Sequence, residues 1–310
     1  MVRRKTRNIA IVGGGKVGSV LGKILAARGH HITAIVSRTL RSARVAGKFV
    51  GCRNVSTELV AIPPQTDIVF IATPHDAIGD VARSLAAIEH LNFKRLAVCH
   101  ASGIHDARVL NPLAKRKATV FSFHPLQTFP RDFTPARIVP YARGIQYGVD
   151  GPPSGVRMAR VLAAELGGKV IIIPPELRVF YHAACVVASN HLTTVLWVVE
   201  QMYRRIAGEG GKFYPVFRPI VEATIANVNR SSPAEALSGP IARGGKQTVE
   251  QHLESVRKFM PQLLPYFVEV SLETLRLAET KGSLDLGSVD AMERLIRSYS
   301  YHSQTRQDKP

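Results

Sequence analysis

The sequence predicts an α/β fold in which a doubly wound parallel sheet is followed by an all-helical C-terminal domain. Apolar, β-branched strands alternate with helical patterns in the first half of the chain, and helical patterns alone continue from about residue 174. With 310 residues, the chain is long enough to form two separate cores. We therefore expect one domain over residues 1–150 and a second over residues 151–310.

A glycine-rich turn joins the first strand to the first helix. The apolar run Ile9–Val12 leads into the turn, and the helix is expected over about residues 16–28. Gly13 allows a tight turn, Gly15 lets a pyrophosphate approach the backbone, and Gly18 lets the helix pack on the strand. The pattern predicts a dinucleotide site formed by Gly13, Gly15, Lys16, Val17 and Gly18.

The second predicted strand, His31–Val36, ends on Ser37 and Arg38, and Arg41 follows shortly after. NAD enzymes usually carry an acidic residue at this point, which binds the ribose 2′-hydroxyl. A hydroxyl and two guanidinium groups would instead bind a 2′-phosphate through charge-assisted hydrogen bonds. The expected cofactor is therefore NADP(H). The alternative is a glycine-rich turn followed by a solvated basic loop.

Three further strands are expected over about residues 67–72, 95–99 and 119–123, and polar residues follow each of them. Ligands bind at the carboxyl ends of the strands in a doubly wound sheet. The residues expected beside the cofactor are therefore Ala72, Thr73, Pro74 and Ser102. His75 and Asp76 follow the same strand as Thr73, and a helix N-cap is the alternative role for them.

His124 follows the strand at 119–123 and precedes a proline, which would fix it at the edge of the sheet. It is a candidate proton donor or substrate ligand. The alternative is a structural histidine that is hydrogen-bonded to a loop.

The second half begins with a strand at about 145–149, a helix at 154–166 and a strand at 169–173. A long helix is then expected from Glu176 to about Ala207. Because this helix is apolar nearly all round, we expect it to be buried, either centrally or against a second subunit. Further helices are expected over about residues 215–229, 248–259, 262–281 and 289–300.

One edge of the long helix carries polar groups. At about 100° per residue, Ser189 returns to the side of His182, and Asn190 lies close to that side. Hydride transfer needs a proton donor, and His182 suits this role because its ordinary pKa lies near physiological pH. Ser189 and Asn190 would hold the substrate. The alternative is that these are polar core groups with internal partners.

Arg243 lies in the glycine- and proline-rich segment Ala236–Gly245, which indicates a shaped turn between helices. A guanidinium in such a turn would bind a carboxylate or phosphate in a bidentate manner. An ordinary surface arginine is the alternative.

Composition restricts the function classes. The net charge of +18 favours anionic ligands, but the basic residues are spread along the chain, so nucleic-acid binding is not expected. Three scattered cysteines without a C-x-x-C pair indicate a reducing cytoplasm, and no metal-binding or G-x-S-x-G motif is present. The basic start lacks a signal peptide, and the apolar stretch 183–199 is interrupted by polar residues, so no membrane segment is expected.

Several segments together resemble a known family. They read DIVFIATPHDAI, HASG, SFHPLQTF, YHAACVVASNHL and LSGPIARG, and the resemblance runs from about Asn8 to Lys281. The chain resembles Rossmann-like proteins with a C-terminal domain of unknown function 2520, which are similar in plan to ketopantoate reductase, pyrroline-5-carboxylate reductase and the β-hydroxyacid dehydrogenases. The resemblance implies a Rossmann-type NAD(P) domain followed by a helical domain of the 6-phosphogluconate dehydrogenase type, which often forms a homodimer.

The chain departs from these patterns at two places. Ketopantoate reductase and the β-hydroxyacid dehydrogenases use a lysine on the long helix, whereas this chain has His182 in the corresponding region. The family motif continues to an aspartate where Gly245 stands here, so a partner for Arg243 is missing from the motif.

The expected function is that of a cytoplasmic NADP-dependent oxidoreductase. Its substrate would be a small anionic carbonyl, hydroxy-acid or imine compound in the cleft between the domains, held by Arg243 and Asn190. His182 or His124 would supply the proton. The alternatives are a non-catalytic NADP-binding regulator or scaffold and, with less support, a basic protein associated with nucleic acid.

Overall fold

The computed structural model describes residues 6–208 and 210–300. The chain divides by packing into two compact units, residues 1–192 and 193–310. This division is based on contacts within the chain. The expected domain boundary between residues 150 and 151 stays a prediction.

A six-stranded parallel sheet forms the centre of the first unit. Its strands in spatial order are β3, β2, β1, β4, β5 and β6. Their bounds are β1 Asn8–Val12, β2 His31–Val36, β3 Val55–Ser56, β4 Ile68–Ile71, β5 Ala97–His100 and β6 Thr119–Ser122. This is the doubly wound order, in which all strands are parallel and the order of strand addition reverses between β1 and β4. The predicted fold class is therefore confirmed for this part of the chain.

Helices cover both faces of this sheet. They are α1 Lys16–Ala27, α2 Leu40–Val50, α3 Ile78–Ala86, α4 Asn111–Lys115, α5 Pro135–Ile138 and α6 Pro153–Glu165. One core contains Ile24 of α1 and Leu162 of α6, and the other contains Leu85 of α3 and Leu113 of α4. Because both faces are covered, the central strands are apolar throughout, and their carboxyl ends are left as the edge where ligands bind.

A second, three-stranded sheet extends the first unit. Its strands are β7 His124–Pro125, β8 Gln146–Val149 and β9 Lys169–Ile172. The short strand β7 runs antiparallel to β8 and pairs His124 with Gly148, whereas β9 runs parallel to β8. Tyr147 of β8 stacks on Phe123, with ring centroids 4.3 Å apart. This pairing fixes His124 two residues beyond the end of β6, at the edge of the main sheet, as its position before a proline suggested.

The long apolar helix is present but is not buried centrally. It consists of α7 Arg178–Val186, a π-helical segment Val187–His191 and α8 Leu192–Ala207. Phe180 is 76% exposed and Trp197 is 52% exposed, and the only buried residues of the three segments are Arg178 and Val198. The expectation of central burial was wrong, because an all-round apolar pattern does not say what covers it. Burial against a second subunit stays a prediction.

By length and composition alone, the helical stretch Pro175–Ala207 could cross a membrane. It is one such helix among the described residues, and a single helix of this kind is weak evidence for a membrane span. The expectation of a cytoplasmic protein stays a prediction.

Helices alone form the described part of the second unit after α8. They are α9 Phe213–Arg230, α10 Pro233–Ala236, α11 Lys246–Phe259, α12 Leu264–Lys281 and α13 Leu286–Ser298. Leu253 of α11, Leu272 of α12 and Ile296 of α13 share one core. The predicted all-helical C-terminal region is therefore confirmed, with each of its long helices within a few residues of its expected position.

Candidate functional site

The turn between β1 and α1 is shaped by two glycines. Gly13 has φ +116°, a left-handed conformation that favours glycine, and its N–H donates to the carbonyl of Val36 at 2.8 Å. A Cβ at Gly13 would overlap the carbonyl of Ala72, and a Cβ at Gly18 would overlap the carbonyl of Gly13. The packing of the protein itself therefore requires glycine at both positions, as the sequence pattern predicted.

Gly15 is different, because a Cβ there would meet no atom within 4 Å. It precedes α1, whose N-terminus has no side-chain cap, and Lys16 and Val17 occupy the first turn. The uncapped N–H groups and the positive end of the helix dipole favour an anion at this point. The open space at Gly15 is where a pyrophosphate would approach the helix.

The carboxyl end of β4 contributes a buried polar atom. Thr73 Oγ1 is buried and has no hydrogen-bond partner among the described residues. It follows Ala72, whose carbonyl lies against Gly13, and it precedes the exposed Pro74. Because a buried hydroxyl without a partner is costly, this atom suits a ligand that supplies one. The structure thus brings Ala72 and Thr73 to the glycine loop, where they fit a dinucleotide, and the cofactor contact expected for Pro74 stays a prediction.

The end of β2 also meets the glycine loop. The N–H of Gly14 donates to Ser37 Oγ at 3.4 Å, and Arg38 and Arg41 are exposed beside it. Arg41 lies in the first turn of α2, where Thr39 caps the helix and no acidic residue is present. This basic edge, beside a helix N-terminus whose first turn holds no acidic residue, would accommodate a phosphate on the ribose.

The two histidines proposed as proton donors lie together. The ring centroids of His124 and His182 are 6.0 Å apart, and Gly103 lies against both. A Cβ at Gly103 would overlap Cδ2 of His182 and would lie 2.9 Å from Nε2 of His124. The HASG segment therefore has glycine where the backbone must pass two imidazoles.

Tyr181 holds His124 in position. Its hydroxyl lies 2.9 Å from His124 Nδ1, and the phenol lies over Gly148, where a Cβ would come within 2.5 Å of the hydroxyl. Burial, together with the nearby charges of Arg178, His182 and His75, lowers the pKa of His124 from 6.5 to about 3. Burial also raises the pKa of Tyr181. His124 is therefore neutral at physiological pH, which favours a role as substrate ligand over that of proton donor.

His75 joins this cluster; the sequence placed it after a strand end, with a helix N-cap as the alternative role. Its ring centroid lies 6.1 Å from that of His182 and 6.3 Å from that of His105. His75 begins the 3-10 turn His75–Ala77, which has no side-chain cap, so the capping alternative was wrong. Its position directly after a strand end was the signal that could have identified it.

Ser102 is buried, and its hydroxyl is engaged within the protein. Oγ lies 2.7 Å from His75 Nδ1 and accepts the N–H groups of Ile104 at 3.2 Å and His105 at 3.1 Å. The expected contact between Ser102 and the cofactor stays a prediction. Its hydroxyl instead joins β5 to the segment that follows β4.

A buried arginine ties α7 to these strand ends. Arg178 donates to Asp150 at 2.9 Å and to the carbonyls of Ser102 at 2.8 Å and Gly103 at 3.1 Å. Asp150 also accepts the hydroxyl of Ser122 at 2.6 Å. The network anchors the first turn of α7, and His182 follows one turn later against Gly103. Sequence reasoning missed this ion pair, because no local pattern connects residues that lie so far apart in the chain.

Ser189, Asn190 and Arg243 are the remaining predicted site residues. Ser189 and Asn190 lie in the π-helical segment, so the assumption of 100° per residue does not hold there. Ser189 Oγ is 2.9 Å from the carbonyl of Cys185 and 2.9 Å from Asn190 Oδ1. Arg243 is exposed in the 3-10 turn Ile241–Arg243 of the second unit. The substrate contacts expected for these three residues stay predictions.

The histidine cluster is not arranged as a metal centre. Within residues 6–208 and 210–300, no group of three or more His, Cys, Asp or Glu side chains is placed to hold a metal ion. The groups that this cluster offers for chemistry are imidazole, hydroxyl and phenol side chains.

Comparison with protein families agrees with the resemblance drawn from the motifs. Residues 1–125 match the family model of a Rossmann-like domain, and residues 145–274 match that of a domain of unknown function, DUF2520. A search of curated proteins found no match.

Solved structures share the fold. A Bacteroides fragilis protein provisionally named an NADP oxidoreductase has a TM-score of 0.69 and 19% identity, covering 87% of this chain and 98% of its own. A pyrroline-5-carboxylate reductase from Coxiella burnetii has a TM-score of 0.55 and 14% identity, covering 89% and 99%. A reductive aminase from Aspergillus terreus, in complex with NADPH and ethyl-5-oxohexanoate, has a TM-score of 0.55 and 14% identity, covering 97% and 95%.

Proposed function

Because the chain joins a Rossmann-like domain to a DUF2520 domain, we propose that it is an NADP-dependent oxidoreductase. Its substrate would be a small anionic carbonyl, hydroxy-acid or imine compound. The structural neighbours support this proposal, since one is named an NADP oxidoreductase and another is a reductase in complex with NADPH.

One observation carries the proposal. The short segment 72–75 touches both the glycine loop and the histidine cluster, because Ala72 lies against Gly13 and the ring of His75 lies 6.1 Å from that of His182. A cofactor that follows the glycine loop toward Thr73 therefore reaches the side chains that can donate a proton. Hydride transfer needs the cofactor and a proton donor side by side.

Each group has its own role in the proposed hydride transfer. NADPH, when bound, supplies the hydride, and the glycine loop, the N-terminus of α1 and Thr73 would hold it. His182 would donate the proton, because it is half-buried beside Gly103 on a helix that Arg178 anchors. His124 would bind the substrate as a neutral group, since its low pKa leaves it unprotonated. The positive net charge of +18 favours an anionic substrate.

The first experiment is a calorimetric titration of the purified protein with NADPH and with NADH at one salt concentration. We expect tight binding of NADPH and much weaker binding of NADH. Oxidation of NADPH would then be followed spectrophotometrically with a panel of 2-oxo acids and cyclic imines. Binding without turnover of any compound would favour a non-catalytic NADP-binding protein, and absence of binding would remove the oxidoreductase proposal.

We also propose that the protein is a homodimer. The apolar side chains of Val179, Phe180 and Trp197 are exposed on the long helix, and a second subunit would cover such a surface. Sedimentation equilibrium of the full chain measures this directly, and a monomer at micromolar concentration would contradict it.

A further inference from the structure

His75 is held in a single protonation state by its partner. Ser102 Oγ accepts two backbone N–H groups, from Ile104 and His105, which use both of its lone pairs. Its own proton is then available for the third neighbour, His75 Nδ1, at 2.7 Å. His75 Nδ1 is therefore the acceptor, and in the neutral ring the proton lies on Nε2.

The surroundings keep this ring neutral. A protonated ring would direct an N–H at a serine oxygen that already accepts two hydrogen bonds. Burial lowers the pKa of His75, and the nearby His182 and His105 lower it further, whereas Asp76 raises it. His75 is nevertheless an exposed residue, and because Ser102 takes Nδ1, the Nε2–H group is the part of the ring left for a ligand.

The spacing of His75 and His182 suits one shared acceptor. An atom that accepts a hydrogen bond from a nitrogen of each ring lies about 4 Å from each ring centroid. Because the centroids are 6.1 Å apart, one atom can lie at this distance from both rings at once, and the directions from that atom to the two centroids then differ by about 100°. A carbonyl oxygen has two lone pairs that can accept in this way, whereas an imine nitrogen has one.

On the basis of the proposed function, we infer that His75 is a substrate-binding residue that donates a hydrogen bond through Nε2 to the same oxygen that His182 protonates. The substrate is accordingly a carbonyl compound and not an imine. The carbonyl carbon takes a hydride from NADPH, the π electrons of the C=O bond move to the oxygen, and His182 gives that oxygen a proton. The products are an alcohol and NADP⁺, and His182 regains a proton from water.

Two variants distinguish the role of Nε2 of His75 from that of Nδ1. His75→Gln carries an amide N–H near the position of Nε2, whereas His75→Asn carries an amide oxygen near Nδ1 and can still accept from Ser102. Removing one donor to a developing oxyanion costs about 100- to 1,000-fold in kcat. We expect such a loss for His75→Asn and a loss of about tenfold or less for His75→Gln, with KM for NADPH unchanged in both. His31→Gln, at the opposite end of β2, is the control.

The reaction panel pairs 2-oxo acids with the cyclic imine Δ1-piperideine-2-carboxylate, each with NADPH. The inference is supported if the oxo acids are turned over and kcat falls far more in His75→Asn than in His75→Gln. Turnover of the imine alone, or equal losses in His75→Asn and His75→Gln, overturns it and leaves the oxidoreductase proposal standing. A wild-type protein that does not bind NADPH overturns both.

A measurement without substrate tests the protonation state itself. Nitrogen-15 NMR of the wild-type protein at pH 7, with the His75 signals assigned by their loss in His75→Gln, distinguishes the two tautomers and the charged ring. We expect a proton on Nε2 alone. A proton on Nδ1, or on both nitrogens, would overturn the inference whatever the outcome of the assays.

Discussion

The backbone of Gly103 and the imidazole of His182 are in such close contact that a Cβ on the glycine would overlap Cδ2 of the ring. The two residues lie on different elements, because Gly103 follows β5 and His182 is on α7. The position of the proposed proton donor is therefore set by a glycine that is distant in the sequence.

Gly103→Ala should displace His182 and His124 together. We expect a loss of unfolding free energy of about 1–3 kcal/mol, which is typical of overpacking, and a larger proportional loss of kcat than of NADPH affinity. Urea unfolding and NADPH oxidation measure the two effects. Gly79→Ala in α3 is the matched control, since its Cβ would meet its nearest neighbours at ordinary distances of 3.6 and 3.9 Å. Identical behaviour of the two variants would contradict the proposed packing.

Gly15→Ala should separate cofactor binding from stability. Because its Cβ would enter open space, the unfolding free energy should fall by no more than about 1 kcal/mol, the cost of a poorer N-cap. NADPH affinity should fall at least about tenfold, since the methyl group would occupy the place of the pyrophosphate. Calorimetry measures the NADPH affinity and urea unfolding measures the stability. Gly18→Ala is the contrasting variant, because its Cβ would overlap the carbonyl of Gly13 and should lower the unfolding free energy. Unchanged NADPH binding by Gly15→Ala would place the cofactor elsewhere.

Arg38→Asp should change the cofactor preference. A carboxylate at this position repels a 2′-phosphate and accepts from a ribose hydroxyl, so NADPH binding should weaken about 10- to 100-fold, and NADH binding should weaken far less. Titration with both cofactors at fixed salt measures the ratio. Arg95→Asp, exposed before the amino end of β5, makes the same change in net charge and should leave the ratio unchanged. Equal losses for NADPH and NADH in Arg38→Asp would remove the argument for a 2′-phosphate.

Arg178→Gln should be strongly destabilising. It leaves the carboxylate of Asp150 buried without its cation, and breaking a buried pair in this way costs about 3–5 kcal/mol. Arg83→Gln removes an exposed pair with Asp80 and should cost about 1 kcal/mol or less. Urea unfolding of both variants gives the comparison. Adding Asp150→Asn to Arg178→Gln should recover part of the loss, and a further loss would contradict the pairing.

Stability should fall as the pH is lowered from about 6.5 toward about 3. His100 and His124 have a pKa of about 3 in the folded protein, chiefly because of burial, against an ordinary value of 6.5. In this window the unfolded chain binds more protons than the folded chain, so the stabilisation present above pH 6.5 is lost at about 1.4 kcal/mol per pH unit for each histidine. Urea midpoints between pH 4.5 and 7.5 measure the slope. His124→Gln should flatten it, and His31→Gln should not.

Local patterns in the sequence predicted most of the first unit. Strand β2 has the predicted bounds, and β1 and α1 lie within a residue of theirs, because alternating strands, glycine turns and helical periods are properties of neighbouring residues. The same holds for Ser37 and Arg38, whose place at the end of β2 follows from the strand itself.

The histidine cluster was only partly predictable. His124 and His182 were identified by their chemistry, but the sequence did not bring them together, and for His75 it left a capping role open as the alternative. The contact of His75 with Ser102 depends on β4 and β5 being neighbours in the sheet. Strand order is a tertiary property, because it depends on how distant segments pair.

The sequence by itself determined the strands, helices and glycine turn, the basic end of β2 and the kinds of side chain at each strand end. Only the tertiary structure decided that Arg178 pairs with Asp150, that Gly103 passes between two imidazoles, and that the long helix is exposed. The physical reason is that local conformation follows from the periodicity of adjacent residues, whereas these contacts join segments far apart in the chain. Their geometry depends on strand register and helix docking, which the whole core fixes together.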